Sequence, residues 1–537
     1  MGEAGELSQL DEDTLILHPR GDWTNSSNYS LTVNARDDSG YDIEALTATY
    51  YIDTLSPSIT NFEPDITRLE KDDTINVLFS ETMDIESLAL SGTLVEDGYT
   101  INWSKTNIPN DTLTISPVDG WKSAQDRSIQ ININDLVGIP MITYENSFTV
   151  PFYFQNFDPA QVVIGQDSFS STDLGINAKN FAFQPSGDVS IDNEGKLFIS
   201  DTSSNRVLVF NSIPITNGSP ANAVIGKDGL DTLALSNPEQ ELFGPSDISF
   251  DGEHLLVSQY RERHISIYDS VVSGAGAAPT LTLNIGDYDI SPCKSLALWI
   301  NWGATVADSK IMVTDAANSR VLIWSQIPEN SYASPDLLVG QSGLENCDPN
   351  DVDQSGMSYQ LSASTLYTPT DVWSDGEKLA IIDSGNNRIL LWNNFPTNSF
   401  APADVVLGQP SFSERNIELT DVDGTEWPVN SKTLNRPETG IWSNGIQLFV
   451  ADAKNNRVLV WNNWPTSNFA PADTVLGQAD FVSFKPNDAN QNGISYPDEP
   501  ESPTASTLKE PTGIFGYKDH LFVTDSGNHR ILIFKSR

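Results

Sequence analysis

Hydrophobic and polar residues alternate with period two over most of the chain, and the alternating stretches are broken every few residues by Gly, Asp, Asn and Pro. That pattern predicts short antiparallel strands with one buried face rather than helices. From residue 196 onward the strands recur as a unit. KLFISDTSSNRVLVF (196 to 210), KIMVTDAANSRVLIW (310 to 324), KLAIIDSGNNRILLW (378 to 392), QLFVADAKNNRVLVW (447 to 461) and HLFVTDSGNHRILIF (520 to 534) share one layout, and HLLVSQYRERHISIY (254 to 268) is a degenerate sixth copy. Each of the first five copies in chain order is followed by a short apolar run ending in Gly: AVIG, LNIG, LLVG, VVLG and TVLG. The last copy stops at Arg537 without one. An orphan run, QVVIG (161 to 165), stands before the first copy, and pairing it with the last copy closes a ring.

The position of Asp201 recurs at Ser258, Asp315, Asp383, Asp452 and Asp525, at intervals suited to one four-stranded blade each. In the fourth repeat the strands are expected at 371–375 (a), 378–383 (b), 388–392 (c) and 404–408 (d). Strand a lines the axis and d forms the rim. The fold class expected is all-β: a six-bladed β-propeller over 161–537, its last blade closed by an N-terminal d strand. Strand direction puts the b–c turns and d-to-a connections on one face, the upper, and the a–b turns and c–d loops on the other.

Residues 1–150 repeat differently. Asp13-Thr14-Leu15 aligns with Asp111-Thr112-Leu113, and the offset of 98 then carries Trp23 onto Trp121, Asp37 onto Asp135 and Gly40 onto Gly138 without a gap. A complete β-sandwich is expected over 54–150, with strands near SITNF, TINVLFS, TLTIS, SIQININ and SFTV. Residues 1–53 carry only the C-terminal half of another, and 151–160 read as a linker. Half a sandwich exposes bare edges, so the chain is expected to be a piece of a longer multidomain array; a strand donated by a partner is the alternative. The sandwich enters the propeller at a d strand, which places it on the lower face and leaves the upper face free.

With 537 residues and 38% hydrophobic content, two or more domains with real cores are expected. The formal net charge is −44 and the pI about 4.1. That balance argues against nucleic acid or an anionic membrane as partner and suits cations and a salty, external medium. Neither a run of 18 apolar residues nor a signal peptide is present, so no membrane insertion is expected.

ARDDSGY (35 to 41), YYIDTLSPSI (50 to 59) and VLFSETMD (77 to 84) resemble bacterial Ig-like domains of surface proteins. That resemblance implies spacers that carry a functional head and no chemistry of their own. The remainder resembles the NHL-repeat propellers through PTDVWSDGEKLAIIDSGNNRILLW (369 to 392), PETGIWSNGIQLFVADAKNNRVLVW (437 to 461), PTGIFGYKDHLFVTDSGNHRILIF (511 to 534) and the Gly-Gln close of four d strands. The family includes a zinc-dependent lyase acting on peptide α-hydroxyglycines, with histidine ligands from several blades. Here His254 and His520 open b strands below while His264 and His529 lie near b–c turns above, so the ligand set does not transfer. Six-bladed calcium hydrolases with a channel calcium are the other enzymatic model.

Several residues carry candidate chemistry. An Asp and an Arg five apart recur in five blades (Asp201 and Arg206, Asp315 and Arg320, Asp383 and Arg388, Asp452 and Arg457, Asp525 and Arg530) and are expected to be structural ion pairs across the b–c turn. At the start of strand a, where Gly440 and Gly513 are small, three blades carry Asp188, Asp247 and Asp371. Directed into the channel they would bind a cation or a cationic ligand group; the plainer alternative is that each caps backbone amides. In the last d-to-a connection, Asp488, Asn490, Asn492, the Ile494 carbonyl and Glu499 fit a calcium loop with Gly493 at its turn, and Asp351, Asp353, Ser355 and Met357 repeat its first half. Calcium is therefore the cofactor expected, as a loop brace. Cys293 and Cys347 both fall on the upper face and either form a disulfide or stay as buried thiols. Phe395, Phe400, Trp464 and Phe469 in the c–d loops are expected to pack between blades rather than stack on sugars.

These readings combine into a non-catalytic extracellular or cell-surface binding or adhesion protein whose acidic upper propeller face meets a protein or glycan. The alternative is a secreted propeller lyase or hydrolase with a metal in the channel.

Overall fold

The computed structural model describes residues 5–9, 15–19, 27–181 apart from 38, 43 and 66, 187–262, 264–269, 277–284, 303–356, 359–415, 428–492 and 502–537. Contacts divide the chain into two compact units, residues 1–122 with 126–150, and 123–125 with 151–537.

The N-terminal unit holds two strand pairs, Gly5–Gln9 with Leu15–Pro19 and Ser27–Val33 with Leu46–Ile52. Two larger sheets follow. One runs Ile59–Glu63, Ile75–Phe79, Thr112–Pro117, Tyr99–Ser104; the other runs Met83–Ser91, Ala124–Asp135, Tyr144–Val150. Alternation decides what is buried: Ile75, Val77 and Phe79 point inward from one sheet and Ile129, Ile131 and Ile133 from the other, around Phe62, Trp121 and Phe148. The five expected strands form, and Met83–Ser91 and Tyr99–Ser104 are additional. Met83–Ser91 is an edge strand whose burial does not alternate cleanly, so its sequence carries little period-two signal.

The 98-residue offset reappears as hydrogen bonding. Asp37 Oδ1 accepts the N–H groups of Ser39 (2.9 Å) and Tyr41 (2.8 Å), and Asp135 Oδ1 accepts those of Val137 and Ile139, both at 2.8 Å. In both turns the glycine, Gly40 or Gly138, takes a φ near +90° and donates to the carbonyl of its aspartate.

The C-terminal unit contains six four-stranded antiparallel sheets among its described residues. The fourth is Pro369–Ser374, Leu379–Asp383, Arg388–Trp392, Val405–Leu407, matching the expected strands to within two residues. The first strand of each sheet touches the first strand of the next, and that of the last (Pro511–Tyr517) touches that of the first (Val189–Ile191), which closes the ring of a β-propeller. Closure is made by the orphan strand: Val162, Val163 and Ile164 pair antiparallel with Ile533, Leu532 and Ile531.

Residues 151–160, expected as a linker, belong to this unit. Phe152 exchanges two hydrogen bonds with the buried Gln447 side chain, and the Asn156 side chain and Phe157 N–H bind the fifth rim strand at Val475. The same clasp recurs where Asn468 and Phe469 bind Val406, and where Ser399 and Phe400 bind Leu338. These three loops thus cover the exposed edge of a neighbouring sheet. Residues 152–160 are the c–d loop of the last blade, and the repeated F-x-P-A of NFDPA, SFAPA and NFAPA carries the signal.

Candidate functional site

The innermost strands set the geometry of the channel. One position at the entrance of these strands, just before or within their first three residues, is equivalent around the ring: Asp188, Asp247, Gly303, Asp371, Gly440 and Gly513. The structure brings the three aspartates together, close enough for Asp247 to bond Asp188 and to raise the pKa of Asp371.

Each carboxylate caps its own strand, as in the plainer expectation, and also reaches across to a neighbouring sheet. Asp247 accepts from Ile248 N–H (2.7 Å) and from Ala304 N–H of the next sheet (2.6 Å). Asp371 accepts from Val372 N–H (2.7 Å) and from Gly440 and Ile441 N–H of its next sheet (2.7 and 3.1 Å). Glycine occupies positions where a neighbouring carboxylate lies: a Cβ on Gly303 would stand 2.6 Å from Asp371 Oδ1, and one on Gly513 2.7 Å from Asp188 Oδ1.

Asp188 is the exception. Its neighbour in the next sheet is the Asp247 carboxyl rather than a free amide, and its Oδ1 is fully shielded from solvent without a hydrogen-bond partner. Among the described residues, no lysine, arginine or histidine pairs with any of the three. Burial, then the charge of Asp247, pushes the Asp188 carboxyl well above the ordinary range. Burial pushes Asp247 up against the pull of its hydrogen bonds, and burial with Asp247 pushes Asp371 up to about 8. The site is a desolvated cluster of acid groups that lacks a countercharge among the described residues.

The two calcium-loop candidates are built alike. Asp351 and Asp488 are buried, and Gln354 and Gln491 adopt the same left-handed φ of 55° and accept from Ser342 and Ala479 N–H at 2.8 Å. Asp351 Oδ2 accepts Gly356 N–H at 2.7 Å, Asp353 Oδ1 accepts Ser355 N–H at 3.2 Å, and Asp488 Oδ1 and Asn490 Oδ1 both accept Asn492 N–H at 3.1 Å. These carboxylates hold the amides of their own loop. Met357, Ile494 and Glu499 lie outside the described residues.

The Asp and Arg pairs hold each b–c turn to its loops. Arg457 Nε meets Asp452 Oδ2 at 2.8 Å with both side chains fully buried, while its other nitrogens donate to carbonyls of two d-to-a connections: Phe481, Asn430 and Thr433. Arg206, Arg388 and Arg530 do the same, and Arg320 donates to Leu344 and Asn346 of one connection. The residue before each Arg takes a left-handed φ near 50°, which explains Asn205, Asn387 and Asn456 there. Sequence reasoning missed the glutamines of the Gly-Gln close: Gln166, Gln409 and Gln478 are buried and donate to turn carbonyls of their own blades, His529, Asn387 and Asn456.

The aromatic residues pack as expected, with Trp464 buried 5.6 Å from Trp373 and Phe395 against the neighbouring core. Cys347 is disulfide-bonded; Cys293, the other cysteine of the chain, lies outside the described residues. His254 and His520 pair with the local carboxylates Asp251 (3.3 Å) and Asp519 (2.8 Å).

No protein-family model matches the chain, and no curated protein matches it. Among solved structures it is similar to a candidate phosphatase from Bacteroides thetaiotaomicron (12% identity over 90% of this chain and 97% of that one, TM-score 0.40). It is also similar to the PQQ-bound aldose sugar dehydrogenase of Streptomyces coelicolor (12%, 71% and 100%, 0.36) and to YCF48 from Cyanidioschyzon merolae (12%, 65% and 94%, 0.32). Likenesses at this level carry no argument about activity, and the propeller assignment stands on the sheet topology itself.

Proposed function

We propose that this chain is a non-catalytic extracellular or cell-surface binding or adhesion protein. In this reading NHL-type blades follow Ig-like spacers, and the propeller meets a protein or glycan on the face of the b–c turns and d-to-a connections. Asp188, Asp247 and Asp371 seat a cationic group of that ligand at the channel, and calcium braces loops 351–357 and 488–499. The observation that carries the reading is the desolvated acid cluster, which has no countercharge among the described residues and in which one oxygen of Asp188 has no donor among them. A buried, unpaired negative site is costly, and a cationic group that supplies the missing charge gains what the empty site forgoes. The disulfide at Cys347 and the net charge of −44 support an oxidising, salty exterior.

One observation favours a second reading. A carboxyl raised to about 8, as at Asp371, is poised for proton transfer near neutral pH, which suits a lyase or hydrolase with a channel metal. Both readings are tested by screening the full chain against cationic and neutral peptides and glycans, with and without chelator, alongside metal analysis. Binding confined to cationic ligands and weakened about tenfold by Asp188→Asn is expected; equal binding of neutral ligands overturns the cationic seat. A tightly held zinc or channel metal would favour the enzyme.

A further inference from the structure

The N-terminal unit carries its own concentration of acidic groups around one buried carboxylate. Carboxylate oxygens of Asp53, Glu81 and Asp135 all lie within 4.8 Å of one another. They come from three separate segments: the turn after strand Leu46–Ile52, the connection between Ile75–Phe79 and Met83–Ser91, and the end of Ala124–Asp135. Asp135 is only 1% exposed. Its Oδ1 holds the turn amides, while its Oδ2 is shielded from solvent and has no hydrogen-bond partner. Among the described residues none of the three pairs with a lysine, arginine or histidine.

The turn alone does not account for this. Asp37 makes the same turn at an exposed position, so only one oxygen is needed to build it. Asp192 makes it a third time, accepting from Glu194 (2.9 Å) and Lys196 (2.8 Å), and there the second oxygen is again buried. At Asp192 the chain supplies its own cation, with Lys196 Nζ 3.9 Å from that oxygen. At Asp135 it supplies two further carboxylates. Like charges so close are unfavourable unless a positive charge joins them, and burial with the two aspartates already pushes Glu81 up to about 7.

We propose that Asp53, Glu81 and Asp135 form a binding site for a hard divalent cation of the calcium class in the N-terminal unit. An all-oxygen, carboxylate-rich set selects calcium over transition metals, which favour nitrogen and sulfur ligands. The ion ties the turn after Leu46–Ile52 to both sheets of the sandwich, a role independent of the propeller channel and its loops.

Hydrogen exchange on the full chain tests it, comparing chelator with about 5 mM calcium, which covers the weak range of extracellular modules. Calcium is expected to slow exchange about tenfold in peptides spanning 53–57, 79–85 and 133–140. Glu81→Gln should abolish that protection. In chelator the same variant should exchange no faster than wild type, because it removes repulsion without removing a needed bond. Asp53→Asn, at a half-exposed residue, gives a second variant with the same expectation. Exchange in these peptides that is unchanged by calcium in the wild type overturns the site, as does calcium protection that survives both substitutions.

Discussion

Replacing Arg457 by methionine tests whether the ion pairs of the blades hold the loops of the candidate binding face. Methionine fills much of the arginine stem's space but donates nothing, so four hydrogen bonds vanish: one to Asp452 and three to Phe481, Asn430 and Thr433. Asp452 stays fully buried, keeping only Asn435 N–H (2.7 Å) and Asn455 Nδ2 (2.8 Å). Removing one partner of a buried pair costs about 3–5 kcal/mol. The carbonyls are partly reachable by water, so their loss adds about 1 kcal/mol in all, and about 5 kcal/mol is expected for the propeller transition.

Urea unfolding followed by tryptophan fluorescence reads that transition, because Trp442, Trp461 and Trp464 all sit in the same blade's core. Hydrogen exchange then locates the loosened segments, expected at 428–440 and 478–487. Adding Asp452→Asn should restore about 2 kcal/mol by removing the stranded charge while keeping an acceptor for Asn435. Lys179→Ala, which breaks a pair with both side chains largely exposed, serves as control and should cost less than about 1 kcal/mol. A loss at Arg457→Met no larger than the control's would refute the lock.

Two further outcomes are expected. A carboxyl whose folded pKa exceeds its unfolded value contributes stability that is present below the unfolded value and lost as pH rises through the folded one. With Asp371 raised from 3.8 to about 8, metal-free propeller stability should therefore fall between about pH 4 and 8, with a ceiling of about 6 kcal/mol at 1.36 kcal/mol per unit; a melting temperature that rises over that window sinks the assignment. Val163→Asp puts a charge in the middle of the closing strand at a fully buried position, and should open the ring at that blade, read as fast exchange in 511–535 with the rest of the propeller still protected; uniform protection would show that closure does not depend on this strand.

Repetition made the propeller legible. Five copies of one strand pair expose every departure from the pattern, so the missing rim strand, the odd aspartates at 188, 247 and 371, and the degenerate second blade all stood out. The c–d loop at 152–160 escaped because its repeat, F-x-P-A, lies at a domain boundary that a linker also explains. The carboxylates of Asp53, Glu81 and Asp135 could not be found this way. They are 28 and 54 residues apart in a sandwich whose other copy lacks counterparts of the first two, and only folding brings them together. The calcium-loop spacing was legible too, yet the side chains described there also accept amides of their own loop, a role that the spacing alone does not separate from metal binding.

The asymmetry of the channel ring narrows where a ligand charge would rest. A carboxylate at the start of strand a is stabilised when the next sheet presents main-chain N–H groups to it. Asp371 faces Gly440 and gains two such donors; Asp247 faces Gly303 and gains one from Ala304. Asp188 faces Asp247, so the two carboxyls meet and one oxygen goes without a donor. A negative charge spread evenly around the axis would hold a spherical ion at the centre. Here the two acids that meet, one of them short of a donor, lie on the side of the first two blades, the arrangement that suits an off-axis group such as an ammonium carried by a larger ligand. On the proposed reading Asp188→Asn should therefore weaken binding more than Asp371→Asn, whose carboxylate is already fully engaged by the backbone.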